Sequence, residues 1–128
     1  MICVVLSNPY EAQDFFNQIV KELALGHKEA LALFFIDKKK FESFVESLAD
    51  KGWMGSSPFE ELKNSLIEGM KNLARTILEE LRAQADKMGV KLYTELLLGT
   101  AEDLERTVSE AGCSKVLKQP SEWPFAEG

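Results

Sequence analysis

The chain has 128 residues, 45% of them apolar and 28% charged, which suits one domain able to bury roughly two thirds of its unfolded surface and excludes a disordered chain. The net charge of −6 comes evenly from both halves, with 7 basic against 10 acidic groups in residues 1–64 and 8 against 11 in residues 65–128, so no basic face is set aside for phosphates and nucleic acid is not an expected partner. Met1 leads straight into an apolar strand pattern without a basic leader or a long apolar segment, so the expectation is no signal peptide, no membrane contact and a cytoplasmic location.

Ile2 to Leu6 is continuous and apolar, as a strand covered on both faces would be. Asn8-Pro9-Tyr10-Glu11 then opens a helix, with Asn8 as its cap, Pro9 at the first helical position and Glu11 placed to return a bond to the cap. Phe15, Phe16, Ile19, Val20 and Leu23 share one face of that helix, and Gly26 ends it. A second apolar run, residues 30–36, follows a crossover of helical length, which makes a parallel βαβ unit. Residues 38–50 read as a short helix with Phe41, Phe44, Val45 and Leu48 inward, and Trp53 and Met54 sit in an inserted loop that could act as a lid, a partner surface or a cover for the sheet edge.

Ser57-Pro58-Phe59-Glu60 begins a long helix, and Leu62, Leu66, Leu73, Ile77 and Leu81 carry it to about Met88. At about 1.5 Å per residue it exceeds roughly 40 Å, so it must overhang the sheet or bend near Gly69. Leu92 to Leu98 is a third strand, Thr100 caps a helix with Leu104 and Val108 inward, Gly112 stops it, and Cys113 to Leu117 is a fourth strand. The reading is therefore an α/β fold: an open parallel sheet of about four strands with helices on both faces, order 3-2-1-4, over residues 1–118, and a tail over residues 119–128. Cys3 and Cys113 lie in apolar runs without metal or redox spacing and are expected to be buried, reduced thiols.

In such a sheet ligands bind beyond the carboxyl ends of the strands, where strand order reverses. That places a crevice between strands 1 and 4, lined by Ser7-Asn8-Pro9 and Lys118-Gln119-Pro120. The helix start at Asn8 favours an anion, but Glu11 and Asp14 already supply negative charge there, so a structural cap is the preferred reading. His27 follows a helix-ending glycine and has no nucleophile or carboxylate paired with it by pattern, and a metal cluster is absent, so neither a catalytic nor a metal site is expected. Lys38-Lys39-Lys40 lies at the ligand end of the sheet without a glycine-rich cradle and reads as a solvated helix start.

The order of pieces resembles the universal stress protein family. The resemblance rests on Ile2-Cys3-Val4-Val5-Leu6-Ser7, on Phe35-Ile36-Asp37, on Lys87-Met88-Gly89-Val90 and on Leu98-Gly99-Thr100-Ala101-Glu102. It implies an adenine nucleotide alpha hydrolase-like (Rossmann-like) fold and a stress-related, regulatory, non-enzymatic role, commonly as a dimer. In nucleotide-binding members the first strand ends in an aspartate, and the fourth leads into a phosphate loop of pattern G-x2-G-x9-G-[ST] and a fifth strand. Here Ser7 stands at the aspartate position, and no glycine follows Leu117 before Gly128. The expectation is a module that requires no cofactor and does not hold ATP by that route, since such a loop needs glycine to bring several N–H groups around a phosphate. The alternative is a sensor of adenosine or AMP using Ser7, Asn8, Pro9, Ile36, Asp37 and Gly99. A homodimer is expected, in which Trp123, Pro124 and Phe125 of the tail help to cover the edge of the fourth strand, beside a protein partner that the sequence does not identify.

Overall fold

In the computed structural model, which describes residues 1–50 and 59–120, four parallel strands form one sheet in the order β3-β2-β1-β4. They are β1 (Ile2–Leu6), β2 (Glu29–Asp37), β3 (Lys91–Gly99) and β4 (Lys115–Lys118), connected through α1 (Ala12–Leu23), α2 (Lys38–Asp50), α3 (Phe59–Lys87) and α4 (Ala101–Glu110). Strand order and element order are those expected from the sequence. The inserted loop with Trp53 and Met54, the Ser57-Pro58 helix start and the tail beyond Pro120 lie outside the described residues.

The handedness of the crossovers decides which face each helix covers. Steps from β1 to β2 to β3 run one way along the sheet, so right-handed connections put α1, α2 and α3 on one face. The return from β3 to β4 runs the other way and puts α4 on the opposite face. Alternation along β1 records the split: Ile2, Val4 and Leu6 enter the core with α1, α2 and α3, whereas Cys3 and Val5 join Leu31, Leu33 and Leu104 under α4. All five β1 residues are buried, which is why the strand shows no polar alternation.

Helices α1 and α2 present the faces their spacing predicts, and α3 does so only in part. Phe15, Phe16, Ile19 and Leu23 of α1 are buried, as are Phe41 and Val45 of α2. On α3 the buried set is Met70, Ala74, Ile77, Leu78, Leu81 and Ala85, so alanines, which carry little periodic signal, complete a face of which Leu73 is only a half-buried flank. The helix runs unbroken through Gly69, where a Cβ would meet nothing within 4 Å. Its 29 residues span about 43 Å against about 30 Å for a nine-residue strand. From Glu60 onward the first buried side chain of α3 is Met70, so the start of the helix overhangs the sheet.

The cysteines depart from the expectation. Cys3 and Cys113 are joined in a disulfide, with Cα atoms 5.6 Å apart across a sequence separation of 110 residues; neither is a free thiol. Cys113 stands in the turn before β4 rather than inside a strand. Gly112, at φ 68°, allows the sharp exit from α4, and the β1–β4 register, which pairs Cys3 with Val116, leaves Cys113 facing the α4 side beside Cys3. That separation lies inside the range a disulfide spans. Chain-entropy reasoning for so long a loop gives a stabilisation on the order of 4 kcal/mol. Reduction of the native protein should therefore lower its unfolding free energy by about 2–4 kcal/mol in urea titrations followed by circular dichroism, and superimposable curves with and without reductant would show that the bond contributes nothing.

Candidate functional site

The β1 ladder stops at Leu6, yet Ser7 and Asn8 remain buried at 8% and 5% exposure. Their N–H groups need acceptors past the end of β4, whose ladder with β1 stops at Val5↔Lys118. Gln119, just past β4, supplies one: its Oε1 accepts from Ser7 N and from Asn8 N, each at 2.8 Å. Its Nε2 donates to the Asn8 carbonyl at 2.9 Å, and its own N–H donates to the Val5 carbonyl at 2.9 Å. The side chain is 4% exposed. A single carboxamide thus closes the carboxyl end of β1 with two accepted bonds and one donated bond.

This corrects the local reading of the helix start. Asn8 does cap it, since its Oδ1 accepts from Tyr10 N at 3.0 Å, and Pro9 opens a short 3₁₀ turn, Pro9–Glu11, ahead of α1. The Asn8 N–H, however, donates to Gln119, not to Glu11. Gln119 was placed on the crevice wall by topology, but its plugging role was not foreseen, because its partners are more than a hundred residues away and no local pattern announces them.

Two clefts flank the Gln119-Pro120 segment. One, of about 310 Å³, lies on the α4 side across the ends of β4, β1 and β2, with Val5, Phe35 and Leu104 as apolar wall and Ser7, Asp37 and Lys118 as polar groups. The other, of about 210 Å³, has Glu11, Asp14, Phe15 and Gln18 around it. Gln119 and Pro120 belong to both, so the plug is the shared wall. The acidic side is the one where Glu11 and Asp14 were expected to repel an anion.

Of the residues expected to form the site, Ser7 and Asp37 line the larger cleft. Asp37 is also engaged structurally: its Oδ1 accepts from Lys40 N at 3.2 Å, at the start of α2. Asn8 contributes its backbone through Gln119, and Pro9 lies in the 3₁₀ turn outside the cleft lining. Ile36 is fully buried in the core under α1, α2 and α3, so its side chain faces away from the cleft. Gly99 is not in the lining either and serves the start of α4. A Cβ there would fall 2.6 Å from Asp103 Oδ2, the atom that accepts from Thr100 N at 2.9 Å. Asp103 N in turn donates to Thr100 Oγ1 at 3.3 Å, closing a reciprocal cap. The bonds from the Thr100 backbone and hydroxyl hold the Asp103 carboxyl below its ordinary range. Gly99 is therefore a structural glycine, and Val5, Phe35, Ala101 and Leu104 are the cleft residues that the sequence reading did not assign to the crevice; Val5, Phe35 and Leu104 were legible only as apolar strand and helix positions.

Among the described residues there is no cluster of three or more His, Cys, Asp or Glu side chains able to hold a metal, and none of their helices is long and apolar enough to cross a membrane. Replacing Gln119 by Ala leaves two N–H groups and a carbonyl to find water at the cleft margin. A loss of about 1–3 kcal/mol is expected in urea unfolding, with a smaller loss for Gln119→Glu, which keeps the acceptor. A change under about 0.5 kcal/mol for Gln119→Ala would show that the plug does not fasten the end of β1.

No family model matches the chain, and neither does any curated protein. Solved structures do. A protein from the universal stress protein family of Burkholderia pseudomallei is similar over 94% of this chain and 96% of its own, at 18% identity and a TM-score of 0.63. The hypothetical protein MJ0577, whose structure was used to assign its biochemical function, is similar over 89% of this chain and 71% of its own, at 14% identity and the same TM-score. Element order, strand order and these two likenesses agree: the chain has the universal stress protein fold.

Proposed function

We propose that this chain is a universal stress protein-like regulatory or interaction module, non-enzymatic and cytoplasmic, whose switch-point crevice does not hold ATP through a phosphate loop. The observation that carries this reading is the Gln119 carboxamide on Ser7 N and Asn8 N: the backbone donors most suited to an anion at the end of β1 are occupied by the protein's own side chain. The segment after Leu117 contains no glycine before Gly128, which removes the means of wrapping further N–H groups around a phosphate. Glu11 and Asp14 beyond the plug and Asp37 in the cleft oppose a polyanion.

A second reading has its own support. The cleft of about 310 Å³ falls at the lower end of small-ligand sites, and an apolar wall of Val5, Phe35 and Leu104 beside the Asp37 carboxylate suits a flat, uncharged heterocycle. On this reading the module senses adenosine or AMP.

The edge supports association. Val116 of β4 is 43% exposed, an apolar side chain on the outer strand that a second chain would cover. The proposed arrangement is a homodimer in which this edge takes part together with the tail.

Calorimetry with ATP and magnesium should give no binding below about the millimolar range, an expected free energy no better than about −4 kcal/mol; a micromolar constant overturns the leading reading. Mass spectrometry of the denatured protein's extract separates the two readings, since near-stoichiometric adenosine or AMP favours the second. Removing residues 120–128 should raise the dimer dissociation constant in light scattering at least about tenfold, a loss of about 1.4 kcal/mol. An unchanged constant removes the tail from the interface, and a monomeric full-length chain removes the dimer.

A further inference from the structure

β4 is the least embedded strand. It has four residues, of which only Leu117 is even half-buried, and it pairs with β1 over Ile2↔Lys115 to Val5↔Lys118. Its side chains therefore contribute little apolar burial to hold it. The attachments concentrate at its two ends. At the start stand the Cys3–Cys113 disulfide, the Ser114 N–H donated to the Met1 carbonyl at 2.8 Å and the Lys115–Glu22 ion pair. At the end stands Gln119, locked onto Ser7 and Asn8. The disulfide cross-link between this edge and the body of the sheet is thus five residues upstream of Lys118 and six upstream of the plug.

We propose that the Cys3–Cys113 disulfide is a redox clasp: reduced by a small thiol, it releases β4 and withdraws Gln119 from the end of β1, so the crevice is sealed in the oxidised protein and open in the reduced one. Cys3 is fully buried, whereas Cys113 is part-exposed in the turn before β4, so the incoming thiolate attacks Cys113 Sγ. The sulfur–sulfur bond breaks, its electron pair leaves on Cys3 Sγ, and that sulfur takes up a proton. A second thiol attacks the outer sulfur of the mixed disulfide, expelling Cys113 as thiolate, which is protonated in turn. The sum is one protein disulfide and two small thiols giving two protein thiols and one small disulfide; re-oxidation by a glutathione-type disulfide is the reverse.

Three features join bond and plug into one device. The β1–β4 register that places Cys113 beside Cys3 is the same register that places Gln119 beside Ser7 and Asn8, so loss of register at one end is loss at the other. Gln119 is the common wall of two clefts of about 310 and 210 Å³, so its withdrawal merges them and bares two convergent N–H donors and one carbonyl. In a reducing compartment a disulfide is one that is made and broken rather than permanent. The device holds whatever the opened crevice takes and does not depend on the choice between the two functional readings.

The test is amide hydrogen exchange by NMR on the full chain, equilibrated in glutathione disulfide or in reduced glutathione, with the redox state of Cys3 and Cys113 read by mass. On reduction, the amides of Ser7, Asn8 and Gln119 should accelerate at least about tenfold more than those of the β2–β3 ladder, because local opening adds to any general loss of stability. Cys113→Ser, without reductant, should reproduce the reduced pattern. Equal acceleration in the two sets would mean that the bond is only a general staple, and would overturn the proposal. So would unchanged plug amides, or thiols that stay reduced in glutathione disulfide.

Discussion

On β1 the strand ladder ends at Leu6 while the chain stays buried through Asn8, so two backbone N–H groups must be satisfied beyond the point where β4 has ended. An unsatisfied buried amide costs about 1–3 kcal/mol, and the remedy shapes what surrounds it. Gln119 has to stand beside Ser7, which requires β4 to lie in register on the free edge of β1. That fixes the end of β4 and the direction in which the chain leaves the sheet. It also converts the most anion-friendly position of the fold into an internal contact.

Most of the architecture was legible because it follows from periodicity. Continuous apolar runs at residues 2–6 and 30–36 and helical spacing at Phe15, Phe16, Ile19 and Leu23 are local signals of burial, and right-handed crossovers leave few orders for four parallel strands. The α3 face was read less well, since Ala74 and Ala85 are fully buried but alanine is equally at home on an exposed helix. The site was legible by position and not by contact. Topology put Ser7 and Gln119 on one crevice, yet Ile36 turned out to face the other side, because a residue next to Asp37 in a strand necessarily points to the opposite face.

The cysteine pair was missed for a different reason. Both residues were placed near the starts of adjacent strands, which is proximity enough for a bond, but the expected compartment and the absence of a short cysteine spacing favoured separate thiols. Spacing in sequence is the wrong measure when a parallel sheet brings residues 110 apart to within 5.6 Å between Cα atoms. The informative quantity is register. Cys3 shares its face with Val5 and Leu104, and a chain that leaves α4 through Gly112 towards the edge of β1 passes that face at Cys113.

The two faces of the sheet are unequal, and the inequality locates the crevice. Three helices cover one face, whereas among the described residues α4 alone covers the other, with Phe35 and Leu97 only partly buried beneath it. The cleft lies between the start of α4 and the carboxyl ends of β1, β2 and β4, walled by Val5, Phe35 and Leu104. Any ligand entering there meets Gln119 already bonded at the β1 end. A tethered group competes at a high effective concentration without the entropy that a free molecule loses on binding, so three hydrogen bonds equal to its own cannot displace it. Occupancy of the sealed form must come from the apolar wall and Asp37, whereas a ligand that wants the Ser7 and Asn8 donors must wait for Gln119 to leave. The choice between these ligand classes is thus made by the attachment of a four-residue edge strand, not by the cleft walls.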